Sequence, residues 1–338
     1  MTTTLPLSRE QVMAHRRRVG VLDERLPSGP EARHQAAAAG LTDSGPRAAL
    51  LSLHARVEGT RSSDWEAPGL VQLWGPRFSA YVIAEEDRAT FSLGRLPTRG
   101  ARRELAEDLA ERLDAVLRGR EMPYGEAGRA VGVHHNQLRY AALTGRVLIR
   151  WDGARQPTVR CVPPPPVDTS TARLDLARRY LHVMGPGTAE GFGRWAGLHG
   201  RSTLPAFEAL GPELLPVRTV VGEGWILAGD EASLRSSPGP AAAARLLPSG
   251  DSYTLFWGPD RELLVPDAGD RAALWTPRVW PGAVLVGGEV VGTWRRAEEK
   301  VTVTAFRALT AREREAVEEE AVGLPLPGLT APISVRWS

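Results

Sequence analysis

The feature that most constrains this chain recurs three times: short amphipathic stretches, followed by two strand-forming stretches that meet at a tight turn. The pattern is sharpest over residues 120–162. PYGEAGRAVGV (123–133) has the spacing of a helix that stops at Gly132, and HHNQLRYAALTG (134–145) reads as a second helix. RVLIRWDGARQPTVRCV (146–162) then alternates apolar and polar side chains on either side of Asp152-Gly153, a dipeptide suited to a hairpin. Helix, turn, helix, hairpin is the order of a winged helix.

The flanking segments repeat the order in looser form. Residues 8–19 predict a helix with Ser8 as N-cap and Gln11 closing a capping box. Helices follow over about 30–40 and 47–59, the second with Ala49, Leu50, Leu53 and Val57 on one face. Two strands over 70–84 join at Gly75-Pro76. The Arg- and Glu-rich stretch 101–118 reads as a solvated connecting helix. After the stiff PPPPVD linker (163–168), helices over 172–185, 187–198 and 201–211 lead to a hairpin at 213–229. SSPGPAAAA (236–244) is a second linker. Beyond it RLLPSGDSYTLFW, RELLVP, GAVLVGGEVVGTWRR, KVTVTAFRAL and PISVRW read as strands, with a helix from Thr310 to about Val322. The expectation is an α+β chain of tandem winged-helix (helix-turn-helix) domains with a C-terminal small β-barrel or sheet. The units run 1–100, 101–166, 167–240 and 241–338.

Composition excludes several classes. No run approaches the roughly 18 apolar residues of a membrane span, and the first twenty residues lack the apolar core of a secretory signal. Cys161 is the single cysteine, so no internal disulfide forms, and it reads as a small packed residue. A cytoplasmic, nucleoid-associated location is expected. Walker A, HExxH and GxSxG patterns are absent, and GPGTAEG (185–191) is misspaced for dinucleotide binding. His134 and His135 are adjacent and cannot chelate one ion from a single helix face, so neither cofactor nor metal is expected. Lys300 is the single lysine among 42 basic side chains; the rest are arginine, the residue for bidentate phosphate and guanine contacts. Codon bias in a GC-rich genome gives the same excess. The sharpest unit offers His135, Asn136, Gln137 and Arg139 to base edges and phosphates, and Arg150 and Arg155 on its wing.

Several longer stretches carry a resemblance: AGLTDSGPRAALLSLHARV (39–57), LVQLWGPRFSAYVI (70–83), ARRYLHVMGPGTAEGFGRWAGL (177–198), RLLPSGDSY (245–253) and VVGTWRR (290–296). With these the chain resembles the AlkZ/YcaQ family of bacterial DNA glycosylases. The resemblance implies tandem winged helices forming a concave channel around duplex DNA, and cleavage of the N-glycosidic bond of alkylated or bulky purine adducts. The family's catalytic Gln-x-Gln or Gln-x-Asp follows a Gly-Leu; here Thr42-Asp43-Ser44 stands in that place. Arg77 is kept where the family has Arg-Gly-Thr-x-His, while Phe78, Ser79 and Tyr81 replace Gly, Thr and His.

An N7-alkylated purine is already a good leaving group, so the protein must place a water and stabilise an oxocarbenium-like state. Asp43 supplies a carboxylate if the loop shifts register by one residue, with Ser44 and Thr42 holding the water and His54 assisting from the next helix. Asp43 is equally suited to a turn or N-cap, and His54 to a half-buried packing role. The resemblance places Arg77, Tyr81 and Asp251 at the DNA, Asp251 by matching a family acidic position. Their structural alternatives are a surface ion pair, a packed strand aromatic and a turn aspartate. The expected partner is double-stranded DNA carrying alkylated or adducted purines, bound by a monomer away from any membrane. The competing reading is a non-catalytic DNA binder, either a regulator or a lesion binder.

Overall fold

A computed structural model of the chain describes residues 4–45, 47–153, 156–236, 239, 244–329 and 331–338. Its architecture is α+β, with three sheets among the described residues. The helix Arg9–Val19 starts at the expected capping box, with Ser8 accepting from the Gln11 N–H and Gln11 reaching back to the Ser8 N–H. The helix Ala311–Val322 is capped in the same way by Thr310 and Glu313. Among the described residues no helix is long and apolar enough to cross a membrane.

The first two hairpins merge into one sheet. Its order is Leu41–Thr42, Ala80–Ala84, Leu70–Trp74, Val147–Arg150, Thr158–Cys161, Met122–Pro123, with every neighbour antiparallel. The junction is the pairing of Gln72 with Ile149. Leu41 and Val82 are buried on one side of this sheet, while Val147, Ile149 and Val159 pack under the helices Ala101–Leu117 and Tyr124–Ala130.

The third hairpin, Leu214–Thr219 with Gly222–Leu227, gains a parallel third strand from Leu5–Pro6 at the far end of the chain. The helix Arg9–Val19 packs beside that hairpin's neighbours, Thr169–Met184 and Glu231–Arg235. Residues 5–19 therefore sit with the third helical segment, residues 41–42 and 70–84 with the large sheet, and residues 88–96 against the helix Thr169–Met184.

The C-terminal sheet runs Arg245–Leu247, Gly282–Val286, Glu289–Ala297, Lys300–Ala305, Ser334–Trp337 and is open at both edges, so the expected barrel alternative gives way to a sheet. RELLVP also departs from expectation: Asp260–Leu264 is helical, with Leu263 and Leu264 buried. Arg9 caps that helix, its guanidinium donating to the Leu263 and Leu264 carbonyls at the C-terminal end.

Candidate active site

Between the large sheet and the C-terminal sheet lies a cleft of about 740 Å³. Thr42, Ser44, Arg77, Trp257, Trp280 and Arg296 line it, with Arg278 and Arg295 beside them. Among the described residues, no carboxylate lines it.

Strand alternation decides which side chains of the Thr42-Asp43-Ser44 loop enter. Thr42 and Ser44 face the cleft, and Ser44 is exposed. Asp43 points the other way and is 1% exposed. Its Oδ1 accepts from the Ala49 N–H at 3.1 Å, and its Oδ2 from Gln72 Nε2 at 2.7 Å. Gln72 Oε1 in turn accepts from the Trp151 N–H at 2.6 Å. The carboxylate therefore pins the start of the helix Ala48–His54 and, through Gln72, the wing of the neighbouring hairpin. Burial pushes the Asp43 pKa up to about 6, against the pull of the Ala49 N–H, Arg47 and Gln72. The one-residue register shift that would bring Asp43 into the cleft does not occur.

Thr42 donates from Oγ1 to the Gly250 carbonyl at 2.5 Å, which leaves its lone pairs free to accept. A Cβ on Gly250, whose φ is +76°, would come within 3.2 Å of that hydroxyl. Next to Gly250, Asp251 is fully buried, not at the DNA surface as expected. It accepts from Arg56 at 2.7 and 2.8 Å, from Ser52 at 2.6 Å and from the Tyr253 N–H at 2.9 Å. Burial pushes its pKa up, but Arg56 and these donors outweigh burial and hold it below the usual carboxylate range. Asp251 anchors the turn on which Thr42 rests.

Arg77 keeps its place at the cleft wall. It is exposed, adopts φ 56°, and lies 4.8 Å from the Trp257 ring. Buried Arg95, which the sequence reading missed, steadies that turn by donating to the Trp74 and Ala196 carbonyls. Tyr81 is 3% exposed and forms part of the cleft floor. Its ring is so close to Gly40 and Gly75 that a Cβ on either would approach within 2.8 and 2.7 Å.

The remaining expected residues lie elsewhere. His54 is outside the cleft, where Arg25 contacts its Nε2 at 3.2 Å. Burial first, then Arg25 and Arg245, push its pKa down to about 4, so the ring is neutral near pH 7 and holds no proton to donate as an acid. Asn136 and Gln137 are exposed, with His135 and Arg139 half-buried, on the short helical run after Val133; none of them lines the cleft. Asn136 and Arg139 are both tied to the Tyr124 hydroxyl. Exposed Arg150 pairs with Glu66 at 3.0 Å. Arg155 lies outside the described residues. Burial and Asp114 push the Cys161 thiol up to about 11, which fits a packing role.

An arginine-rich cleft of this kind suits a polyanionic ligand. The chain superposes on the DNA glycosylase AlkZ of Streptomyces sahachiroi with a TM-score of 0.74, over 100% of both chains and at 19% identity, a likeness of fold. The family described as DNA glycosylase AlkZ-like matches residues 35–324, and this chain belongs to that family. A curated relative, an interstrand DNA cross-link repair glycosylase of the same organism, is 32% identical over 168 residues. That match spans 48% of this chain and 44% of the relative, less than half of its length.

Proposed function

We propose that this protein is a monofunctional DNA glycosylase that hydrolyses the N-glycosidic bond of alkylated or bulky N7-guanine or N3-adenine adducts in duplex DNA, in repair or self-resistance. The observation that carries this reading is the cleft itself. The two family motif positions, Thr42 and Ser44, face into a large, cationic, aromatic-walled space. Tandem winged helices would hold the duplex, with Arg77, Arg278, Arg295 and Arg296 on phosphates.

The chemistry suits a lining without carboxylates. A water held by Ser44 and Thr42 attacks C1′; the C1′–N bond breaks, and its electron pair neutralises the cationic base. The water's proton passes to solvent. A cationic leaving group needs no general acid. The single lysine, Lys300, lies on the strand Lys300–Ala305, away from the cleft, so no lysine is placed for a Schiff-base step. Asp43 acts through position, holding the loop from behind.

The same lining also favours a second reading, a lesion binder that does not cut. One assay separates them: release of an N7-guanine adduct from duplex DNA. Wild-type protein is expected to release the base, and Ser44→Ala to lower the rate about 10²-fold with lesion binding retained. Tight lesion binding without release, or a Ser44→Ala rate equal to wild type, would establish the binder or remove Ser44 from the reaction.

A further inference from the structure

His15, His182 and Asp230 come from three separate places: the helix Arg9–Val19, the helix Thr169–Met184, and the turn Ala228–Asp230 after the third hairpin. One ligand-capable atom of each lies within 4.8 Å of the other two. None of the three lines the cleft. His182 Nδ1 is 2.8 Å from Asp230 Oδ1, and the two imidazoles stand edge to face with centroids 6.0 Å apart.

Two further observations point to a ligand. Asp230 is 8% exposed, and its buried Oδ2 has no hydrogen-bond partner among the described residues. A buried carboxylate oxygen ordinarily has one. His182, in contrast, is half-buried, with 44% of its side chain exposed against 11% for Asp230, which leaves a way in from solvent. Ser233 Oγ, 3.0 Å from His15 Nδ1, adds a neutral oxygen at the edge of the group. The charge working against a cation is Arg18, whose guanidinium donates to the Ser233 carbonyl and hydroxyl.

We propose that His15, His182 and Asp230 bind one zinc-class divalent cation that staples the first helix to the third hairpin. Two imidazole nitrogens and one carboxylate oxygen form a zinc-type donor set, with water or Ser233 completing four-coordination. Zinc bonds of about 2.0–2.2 Å put tetrahedral ligand atoms about 3.3 Å apart, so small side-chain rotations suffice. His15 and His182 are 167 residues apart in sequence, which is why no ligand spacing shows in the chain.

The test uses tag-free, metal-stripped full-length protein, with Co²⁺ as spectroscopic probe and Zn²⁺ as competitor. Wild type is expected to bind one Co²⁺ with visible d–d bands, to release it to Zn²⁺, and to melt at a higher temperature with Zn²⁺ present. Asp230→Asn and His182→Ala are expected to weaken binding at least about tenfold, whereas Cys161→Ser leaves it unchanged. His182 is the more exposed position, so its variant carries the comparison if Asp230→Asn fails to fold. Absence of Co²⁺ binding by wild type, or equal binding by His182→Ala, overturns the proposal. The readout is independent of base release, so it stands or falls separately from the glycosylase reading.

Discussion

Asp43 shows how one residue's surroundings set its role. Its two oxygens are occupied by the Ala49 N–H and Gln72, and its carboxyl is buried. Its folded-state pKa, about 6, lies above the ordinary aspartate value of 3.8. Ionising it therefore costs folding free energy. Its contribution to stability is complete below about pH 4 and is lost as pH rises through 6. The gap between 3.8 and about 6, at 1.36 kcal/mol per pH unit, is worth about 3 kcal/mol. Urea unfolding of wild type and Asp43→Asn should show it: wild type loses about 3 kcal/mol relative to the variant between pH 4 and pH 8. Parallel profiles would mean that Asp43 titrates normally. Asp251 is the opposite case, since Arg56 and two further donors, Ser52 and the Tyr253 N–H, hold its pKa below the usual carboxylate range at the same depth.

At the scale of elements, the site depends on two hairpins behaving as one sheet. Gln72 sits at the single register pair that joins them, opposite Ile149. Its amide accepts from the Trp151 backbone and donates to Asp43. Gln72→Ala should remove both hydrogen bonds, at a cost of about 1–3 kcal/mol at the buried Asp43 carboxylate, and loosen the motif loop from the second wing. Thermal unfolding should fall accordingly, and base release should drop more steeply than the loss of folded protein explains. A variant as stable and active as wild type would show that strand pairing alone holds the loop. The expected hairpins and capped helices formed because their signals are local. The helix in RELLVP is capped by Arg9, a partner more than 250 residues away that no local signal shows.

Across the whole molecule, arginine joins the segments. Arg16 donates to the Met184 and Gly185 carbonyls, Arg173 to Gly94 and Leu96, and Arg245 to Ala55. Arg179 grips Asp87 and the Ala38 carbonyl. A guanidinium with five donors in a plane can cap several carbonyls at once, which a lysine ammonium does less well. Much of the arginine excess is thus spent inside the molecule, and the cleft holds a smaller exposed set. Arg278→Ala with Arg296→Ala should lower the slope of log K against log salt for duplex DNA by about 2, at roughly 0.9 per phosphate contact. An unchanged slope would move the DNA off this cleft.

By itself the sequence determined the local grammar: the capping box at Ser8, the start of a helix at Thr310, the order of most helices and hairpins, and the segment that holds the motif loop. These depend on hydrogen bonds and apolar periods spanning a few residues, so they are legible in a few residues. The candidate site was legible as a place, residues 42–44 and Arg77, and not as an arrangement. Only tertiary structure decided that Thr42 and Ser44 face the cleft while Asp43 faces Gln72, and that Asp251 is buried against Arg56. It also decided that Leu5–Pro6 completes a sheet with Leu214–Thr219. Each of these outcomes depends on partners tens to hundreds of residues away. No local pattern records which of two faces such a partner will cover.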